Sequence, residues 1–510
     1  MHAHPGRGRT AASRLGAAAT LTALALSACA TKPGPTLAEH APALDARTGT
    51  PEGTVAALAQ QPWDAPSEAW DGRSPLTADA AVRCALQNNR ALRRTLTEVE
   101  RRRALYRDAQ LPPNPTLDVA VGVPLDMGAA PVLAMVAQQI DWLWKRDAIV
   151  GEADAQLRAL LFEAAAVTVA TAVETRAAYI EVAAALEQRT LALDDTDVAA
   201  RVLRASEQAY AAGEARGTAV NDARMNLAEA QNRLMEAENA LLAARTRLLT
   251  AIGRGADALE WTTAETTATA AARACGIAEP PLPEDDAALH ALVRERRLDL
   301  RAALARVEGL QARIALARAS QWPSLMLGGG WERDMEGDQA AMVEVQTTLP
   351  IFNQGQFRVA AAIAQLEEAR IDADALWQQA VVDARRSLAG VATAAHHEAT
   401  IRDLTMPAYA ANAKQLAEAV AAGERPALQL WRSEHQENHI RLQLARAQRD
   451  RALAALGFER ALAGARLPAM AGGAGGGAGA GMGGGGGMGA GADSAGALQN
   501  FETTGLETME

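Results

Sequence analysis

The sequence predicts a mainly α-helical protein with a small β part: a long α-helical barrel that continues into a transmembrane β-barrel shared between protomers. Three observations predict this fold class, namely two very long helical patterns, four short alternating runs beside them, and an order of segments that occurs twice. Aromatic residues make up only 4% of the chain and alanine dominates the apolar fraction, which suits closely packed helices. The formal net charge of -11 argues against a nucleic-acid partner.

Residues 1–28 are predicted to be an export signal, because three arginines precede an apolar run too short to span a bilayer. The run ends in Leu26-Ser27-Ala28-Cys29, which resembles the bacterial lipobox. Cys29 is therefore predicted to be the lipidated first residue of the mature chain, and the absence of an acidic residue just after it favours the outer membrane. Residues 29–75 are rich in Pro, Ala, Thr and Gly and are predicted to form an extended, lipid-anchored segment. No wholly apolar run of about 18 residues follows the signal, so no membrane-spanning helix is expected.

Residues 76–262 are predicted to form a first structural repeat of the order helix, strand, strand, long helix, helix. Thr77 is a predicted N-cap, and glycines and prolines separate the elements. The strands are assigned from strict alternation of apolar and other residues, and the helices from apolar residues three or four positions apart. The predicted elements are a helix from Ala78 to Leu111, strands Leu117–Val123 and Val132–Asp141, and helices Trp144–Tyr210 and Thr218–Ile252.

Residues 288–462 are predicted to repeat this order after an irregular link at residues 263–287. Leu96-x-x-Val99-Glu100 matches Leu304-x-x-Val307-Glu308 at a spacing of 208, and Ala211-Ala212-Gly213-Glu214 matches Ala421-Ala422-Gly423-Glu424 at 210. Two matches at nearly one spacing indicate an internal duplication. Residues 463–510 are a predicted flexible tail rich in Gly, Ala and Met. The predicted elements are helix Asp286–Ser320, strands Ser324–Glu332 and Ala341–Leu349, helix Asn353–Ala422, and a helix ending near Gly457.

The long helices and the strands together predict a tube shared by several chains. A helix of about 70 residues is roughly 100 Å long, and two shorter helices placed end to end match that length. Strands of roughly nine to eleven residues are long enough to cross a bilayer at a tilt. Because four strands cannot close a barrel and open edges are not tolerated in lipid, a dimer or a trimer must complete it.

The strand–helix junctions carry aromatic residues and turn-forming residues. Tryptophan and phenylalanine here are typical of the girdle at a membrane interface, and packing of the junction itself is the alternative. The junction residues singled out are Trp142, Trp144, Trp322, Pro350, Phe352, Asn353 and Gly355.

The duplicated order and several short motifs resemble the outer-membrane efflux (TolC) family over about residues 75–460. The resemblance implies a homotrimer with a twelve-stranded barrel and a helical periplasmic tunnel. It also implies a periplasmic adaptor and an inner-membrane pump, commonly proton-driven and of the RND type, with outer-membrane lipid around the barrel, no cofactor and no catalysis. The motifs are Leu76-Thr77 through Asn88-Asn89, Leu111-Pro112-Pro113-Asn114-Pro115, Leu349-Pro350-Ile351-Phe352-Asn353-Gln354-Gly355 and the two Ala-Gly-Glu turns.

The resemblance also assigns adaptor docking to the helix tips. Gly213 with Glu214, and Gly423 with Glu424 and Arg425, match the turns at the far ends of the family's helices. Glycine permits the left-handed backbone of a tight reversal, and arginine can bind carboxylates across an interface. The alternative is that any helical hairpin needs a glycine and a solvated charge. Family members often carry acidic residues shortly after the second glycine, but Gln429 and Arg432 occupy those positions here.

Two further pairs of residues have open interpretations. His435 and His439 have the spacing that places two imidazoles on one helix face, which suits a metal ion, although a solvated helix face is the favoured interpretation. Cys84 and Cys275 form either a disulfide or two buried thiols. The chain shows no phosphate-binding loop, nucleophile elbow or zinc array, so an enzyme is not predicted.

The sequence thus predicts an outer-membrane exit duct for drugs, solvents or metal ions. A duct for protein secretion is an alternative of the same class. A periplasmic coiled-coil lipoprotein scaffold is the alternative of a different class, and the four alternating runs argue against it, because a scaffold has no use for strands of bilayer length.

Overall fold

The computed structural model describes most of the chain between residues 31 and 464. The export signal, Cys29 and the glycine-rich tail lie outside the described residues, and contacts divide the chain into two units, Met1–Leu467 and Pro468–Glu510, of which everything below concerns the first. The described residues are 31–58, 61–62, 69–123, 130–278, 283, 285–425 and 427–464.

Helices make up most of the described chain, and the predicted long helix is its largest element. The pattern placed this helix at Trp144–Tyr210, and the structure extends it by two residues at the start and one at the end, to 70 residues. The helices are α1 (Ala41–Thr48), α2 (Thr54–Leu58), α3 (Ala78–Asn88), α4 (Arg90–Asp108), α5 (Trp142–Ala211), α6 (Gly217–Ala251), α7 (Thr267–Ala278), α8 (Asp286–Arg296), α9 (Leu298–Ala319), α10 (Gln356–Thr400), α11 (Met406–Ala421) and α12 (Ala427–Ala463).

The four predicted strands form one antiparallel sheet, in the order β1-β2-β3-β4. Its central pairing joins β2 to β3, with Val132 opposite Arg333, so strands from the two halves of the chain meet in the middle of the sheet. The strands have six, eight, nine and nine residues, and the first two are therefore shorter than predicted. They are β1 (Thr116–Val121), β2 (Val132–Gln139), β3 (Leu325–Arg333) and β4 (Gln339–Thr347).

The two shorter helices that lead into the sheet are each broken, which the sequence pattern did not predict. Asn89 separates α3 from α4 and has an extended ψ of 113°, while its side chain accepts a hydrogen bond from Leu92 N. Arg297 separates α8 from α9 with ψ of 105°, and it is buried, donating to Ala461 O at 2.7 Å. The breaks lie 208 residues apart (297 − 89), the same spacing as the sequence match. Thr77 caps α3 as predicted, with its hydroxyl accepting from Ala80 N.

The segment expected to be extended, residues 29–75, contains short helices where it is described. Leu37, Leu44 and Val55 are buried there, because the segment packs on the main hydrophobic core. Asp45 holds its loop by accepting hydrogen bonds from Gly53 N at 2.7 Å and from Val55 N at 2.9 Å. Long-range burial of apolar side chains thus imposes helices that the local composition does not indicate.

The main core surrounds the middle of α5, where small residues allow helices to approach closely. Tyr179 is fully buried and its hydroxyl donates to Leu76 O at 2.9 Å. Arg176 is also buried and donates to Thr48 O at 3.0 Å and to Asp79 Oδ1 at 3.2 Å. Cys84 and Cys275 are buried members of this same cluster.

By length and composition helix α5 is apolar enough to span a membrane, contrary to the expectation from uninterrupted apolar runs. Within the protomer, 67% of that apolar window is buried. Its apolar character is therefore explained by packing against neighbouring helices.

The second long helix is not continuous, although the pattern predicted helix from Asn353 to Ala422. A π-helical segment at Ile401–Thr405 separates α10 from α11. Pro407 follows within one turn and has no N–H to donate, which explains why the hydrogen-bond ladder shifts there.

Candidate functional site

One face of the sheet is apolar and reached by solvent in the single protomer. The register pairs Leu117 with Val136 and Val119 with Ala134, and paired residues lie on the same face. Val343 lies on this face too and is 80% exposed, as Leu117 is 70% exposed. Such a surface on a protein in water would be costly, whereas a hydrocarbon environment would match it.

The opposite face of the sheet carries the acidic and amide side chains, with Met135 and Met342 among them, and is closely packed at its centre. The register places Asp118, Glu344 and Gln346 there. A side chain on Gly330 would place its Cβ 2.5 Å from Met135 Cγ, so this face has no room for larger residues at that point. An apolar face opposite a face that carries the charged side chains is the pattern of a barrel with lipid outside and water inside.

The outer strands of the sheet are unpaired edges. All six residues of β1 and all nine residues of β4 are exposed, and each strand pairs on one side only. Unpaired strand edges are not tolerated in the hydrocarbon of a bilayer, because each N–H and C=O there must find a partner. If the apolar face lies in lipid, the edges need strands from other copies.

The junction between β4 and α10 is a tight turn built by the predicted residues. Gly355 has a φ of 76° and precedes α10, and its N–H donates to Asn353 Oδ1 at 3.0 Å. Phe352 lies two residues after Pro350 and is 97% exposed. The turn thus fixes the angle between sheet and helix and leaves its aromatic ring outward.

A second group of junction residues surrounds an apolar cavity of about 490 Å³. Trp142 lies beside it in the chain, with the guanidinium of Arg146 5.4 Å from its ring centroid. Aromatic and apolar residues thus surround the boundary between sheet and helices, and their part in a membrane-interface girdle stays a prediction. The lining residues are Trp144, Trp322, Pro323, Leu325 and Thr347.

The two helix tips have the same backbone geometry. Gly213 has a φ of 78° and Gly423 a φ of 76°. In each turn the N–H of the following glutamate bonds to a carbonyl five residues earlier, Glu214 N to Ala209 O at 2.9 Å and Glu424 N to Ala419 O at 3.0 Å. This is the Schellman motif that ends a helix with a left-handed residue.

The acidic and basic side chains of the tips, Glu214, Glu424 and Arg425, are all exposed. Arg432 lines a cavity of about 630 Å³ between α5, α6 and α12. His435 and His439 line the same cavity.

The two histidines make different contacts, and neither belongs to a three-ligand cluster among the described residues. His435 Nδ1 donates to Asp195 Oδ1, and this hydrogen bond raises the pKa of His435 above its ordinary value. His439 Nε2 lies 3.1 Å from Gln443 Nε2. The partner Asp195 was not predicted from the sequence, because it lies 240 residues from His435 and no spacing rule connects them.

One group of carboxylates among the described residues has metal-binding spacing, and it lies in the β3–β4 loop. Asp334, Glu336 and Asp338 are exposed, and their ligand oxygens lie within 4.8 Å of one another. Asp334 Oδ1 accepts hydrogen bonds from Glu336 N and Asp338 N, each at 2.9 Å. The tight turn itself therefore accounts for this cluster.

The described chain begins beside the sheet. Lys32 N donates to Gln110 Oε1 at 2.7 Å, and Gln110 Nε2 donates back to Lys32 O at 3.2 Å. Gln110 is buried and follows the end of α4, six residues before β1 begins at Thr116. Position 32 is therefore held at the level where the helices meet the strands.

The fold and these surfaces define a class of protein: a long helical bundle attached to part of a membrane β-barrel. The family described as outer membrane efflux protein matches residues 81–254 and 289–464, which is more than half of the chain. The chain belongs to this outer membrane efflux protein family, and the family resemblance predicted from the motifs is confirmed. Membership places the chain in the outer membrane.

Solved structures share the fold. The outer-membrane channel OprN is 19% identical, with a TM-score of 0.59, over 76% of this chain and 90% of that chain. CusC, described in terms of transmembrane channel formation, is 15% identical, with a TM-score of 0.60, over 79% of this chain and 96% of that one. The outer membrane protein VceC of Vibrio cholerae is 18% identical, with a TM-score of 0.57, over 76% and 96%. A comparison with curated protein sequences gives no significant match.

Proposed function

We propose that this protein is the exit duct of a tripartite efflux pump, conducting drugs, solvents or metal ions passively across the outer membrane. The observation that carries the proposal is the sheet, with an exposed apolar face, an opposite face that bears Asp118 and Glu344, and two unpaired edges. A four-stranded sheet of this kind cannot be stable in lipid alone. Three copies would contribute twelve strands, and the polar faces with Asp118 and Glu344 would line the aqueous lumen.

Lipid attachment at Cys29 is part of the proposal. The backbone contacts of Lys32 with Gln110 hold the chain near the start of β1. Three residues span roughly 10 Å at most, so an acyl group on Cys29 would start at the level of the strand–helix junctions. A lipid anchor there would add to the attachment of the barrel rather than strain it.

The helix tips are the proposed docking site for a periplasmic adaptor, which in turn would bind an inner-membrane pump of the RND type. Supporting this are the exposed side chains of Glu214, Glu424 and Arg425 around two turns of equal geometry. Charged side chains at a rim steer association and give specificity. Specificity for the transported substrate would reside in the pump, because a passive duct has no need of a selective site.

The sheet supplies a matched pair of neighbouring substitutions to test the duct. Val343→Arg places a charge on the apolar face, and we expect it to prevent insertion, at a cost of about 2–4 kcal/mol per chain at mid-bilayer depth. Glu344→Arg places the same charge on the polar face, and we expect insertion to persist with altered ion selectivity. Membrane fractionation and single-channel conductance in planar bilayers measure both.

Equal behaviour of the two variants, or absence of any conductance from the wild-type trimer, would contradict the proposal and favour a periplasmic scaffold. Cys29→Ala tests the anchor separately. We expect loss of the acyl mass from the mature chain by mass spectrometry, while conductance of the reconstituted protein is retained.

A further inference from the structure

The long helices form two hairpins, the first of α5 and α6 and the second of α10, α11 and α12, and the far end of the second hairpin has few contacts of its own. Helix α11 has no buried residue, whereas α5 buries residues as far as Ser206. Tyr409 of α11 donates through its hydroxyl to Ser433 O of α12, so these two helices are tied together. The described contacts between this end and the first hairpin therefore depend on α12.

Two polar links join α12 to α5 in this region. Arg201 Nη2 donates to Glu434 Oε2 at 2.7 Å, and His435 Nδ1 donates to Asp195 Oδ1. The Asp195 side chain is only 11% exposed, and its other oxygen accepts from Arg233 Nη1 of α6 at 3.2 Å. Asp195 is thus the point at which three helices of the two hairpins meet.

The second hairpin also has a place at which it can bend. The π-helical segment Ile401–Thr405 and the following Pro407 interrupt the regular hydrogen bonding of the long helix. Kinks in helices occur at prolines and π-bulges of this kind. The segment lies on the sheet side of the tip, so a bend there would move α11 together with the part of α12 nearest the tip, while Ala452 and Leu456 of α12 stay in the main core.

The charges that face His435 come from each helix packed around it. Asp195 lies on α5, while Glu229 and Arg233 lie on α6. Glu236 of α6 and the residues Arg432 and His439 of α12 line the cavity beside it. The hydrogen bond with Asp195 is the largest influence and raises the pKa of His435, while partial burial and Arg233 act in the opposite direction.

We propose that Asp195 and His435 form a proton-dependent clasp that holds the second hairpin against the first, and that loss of the His435 proton eases separation of the helix tips. This rests on the proposed duct function, in which tip separation widens the periplasmic entrance. Because the folded-state pKa is raised, the clasp is complete below the ordinary histidine pKa of about 6.5 and is lost as pH rises through the higher value.

The exposure of the His435 side chain to solvent limits how strongly its protonation can change the ratio of closed to open tips. The His435 side chain is 49% exposed, and ion pairs of this kind change an equilibrium by roughly 1.5- to 5-fold. We expect a shift of this size per protomer in the ratio of closed to open tips between pH 6 and pH 8.5. Arg201 with Glu434 would remain as a pH-independent link.

Distances between spin labels test the clasp without requiring conduction. Labels at Gln208 on α5 and Lys414 on α11 are exposed positions on the two hairpins beyond the clasp. In the full-length wild type in detergent, we expect a longer-distance population to grow as pH rises from 6 to 8.5. In His435→Gln and in Asp195→Asn this pH dependence should disappear, whereas the control His439→Gln should keep it.

A pH response that persists in His435→Gln, or is absent from the wild type, would overturn the clasp. Open probability in planar bilayers over the same pH range is the second measurement, and we expect the same order among the variants. Should the labels respond while no variant conducts at any pH, the clasp would stand and the duct function would fail.

Discussion

The two helical hairpins end in turns of the same geometry, yet they are packed very differently. The first hairpin contains α5, a single helix of 70 residues that is buried through its middle by small residues. The second hairpin reaches a comparable length only as α10, a π-helical segment and α11, and the last of these has no buried residue. Duplicated sequences have therefore produced one hairpin suited to packing and one suited to bending.

The difference has a physical origin in which residues face the core. Around Tyr179 the first hairpin receives α3, α4 and α7 on its surface, and its alanines allow these helices to come close. The second hairpin joins this core only through the end of α12, at Ala452, Ala455 and Leu456, and its other buried residues form small clusters around Val391 and around Leu366. Regions with few buried apolar contacts open at lower free energy than a packed core.

Replacing one tyrosine in each hairpin should give the largest difference in stability between the two hairpins. Tyr179→Ala removes a fully buried ring and its hydrogen bond, and we expect a loss of about 3–5 kcal/mol of stability. Tyr409→Ala in α11 removes a partly buried ring, and we expect about 1–2 kcal/mol. Thermal and denaturant unfolding in detergent measure both. Similar losses would show that the second hairpin is packed as firmly as the first.

Exchanging proline between the hairpins should have the next largest effect. Asp197 corresponds to Pro407 at the spacing of the tips (407 − 210), and Asp197→Pro should cost about 3 kcal/mol by breaking the ladder of α5. Pro407→Ala restores an N–H donor and should slow hydrogen exchange across Ile401–Thr405. Hydrogen exchange followed by mass spectrometry measures the change at each of the two positions. Unchanged exchange in Pro407→Ala would mean that the π-segment has another cause.

Replacing the tip glycines should give the smallest effect and the same effect at both tips. Gly213→Ala and Gly423→Ala each force alanine into the left-handed region, which costs about 1–2 kcal/mol. No neighbouring atom lies within 4 Å of an added Cβ at either position, so strain of the backbone is the whole cost. Gly390→Ala, inside α10 and in open space, should instead stabilise by about 0.5–1 kcal/mol. Melting temperatures of the three variants test this order.

Local patterns predicted the long elements well. The start and end of α5 were placed within two residues, because an apolar period runs up to the turn at Gly213. Helices α1 and α2 were not predicted, since they depend on burying side chains such as Leu44 against residues distant in the chain. The π-segment was missed although Pro407 is visible in the sequence, because long helices can absorb a proline by more than one distortion.

The candidate site was predictable in its residue types but not in its pairings. The tip glycines, the junction aromatics and the alternating strands can all be read from spacing. The link between Asp195 and His435 cannot, because it is created by the packing of helices from opposite halves of the chain. The two faces of the sheet became assignable only with the register, which pairs Leu117 with Val136.

The pairing of β2 with β3 has a consequence for biogenesis. Val132 and Arg333 are partners although the whole of the first hairpin lies between them in the chain. Before β3 emerges from the export machinery only an isolated two-stranded unit exists, and such a unit is marginal in water. Assembly of the four-stranded sheet must therefore wait until most of the polypeptide has been exported. The exposed valines of the sheet need shielding from water throughout that delay.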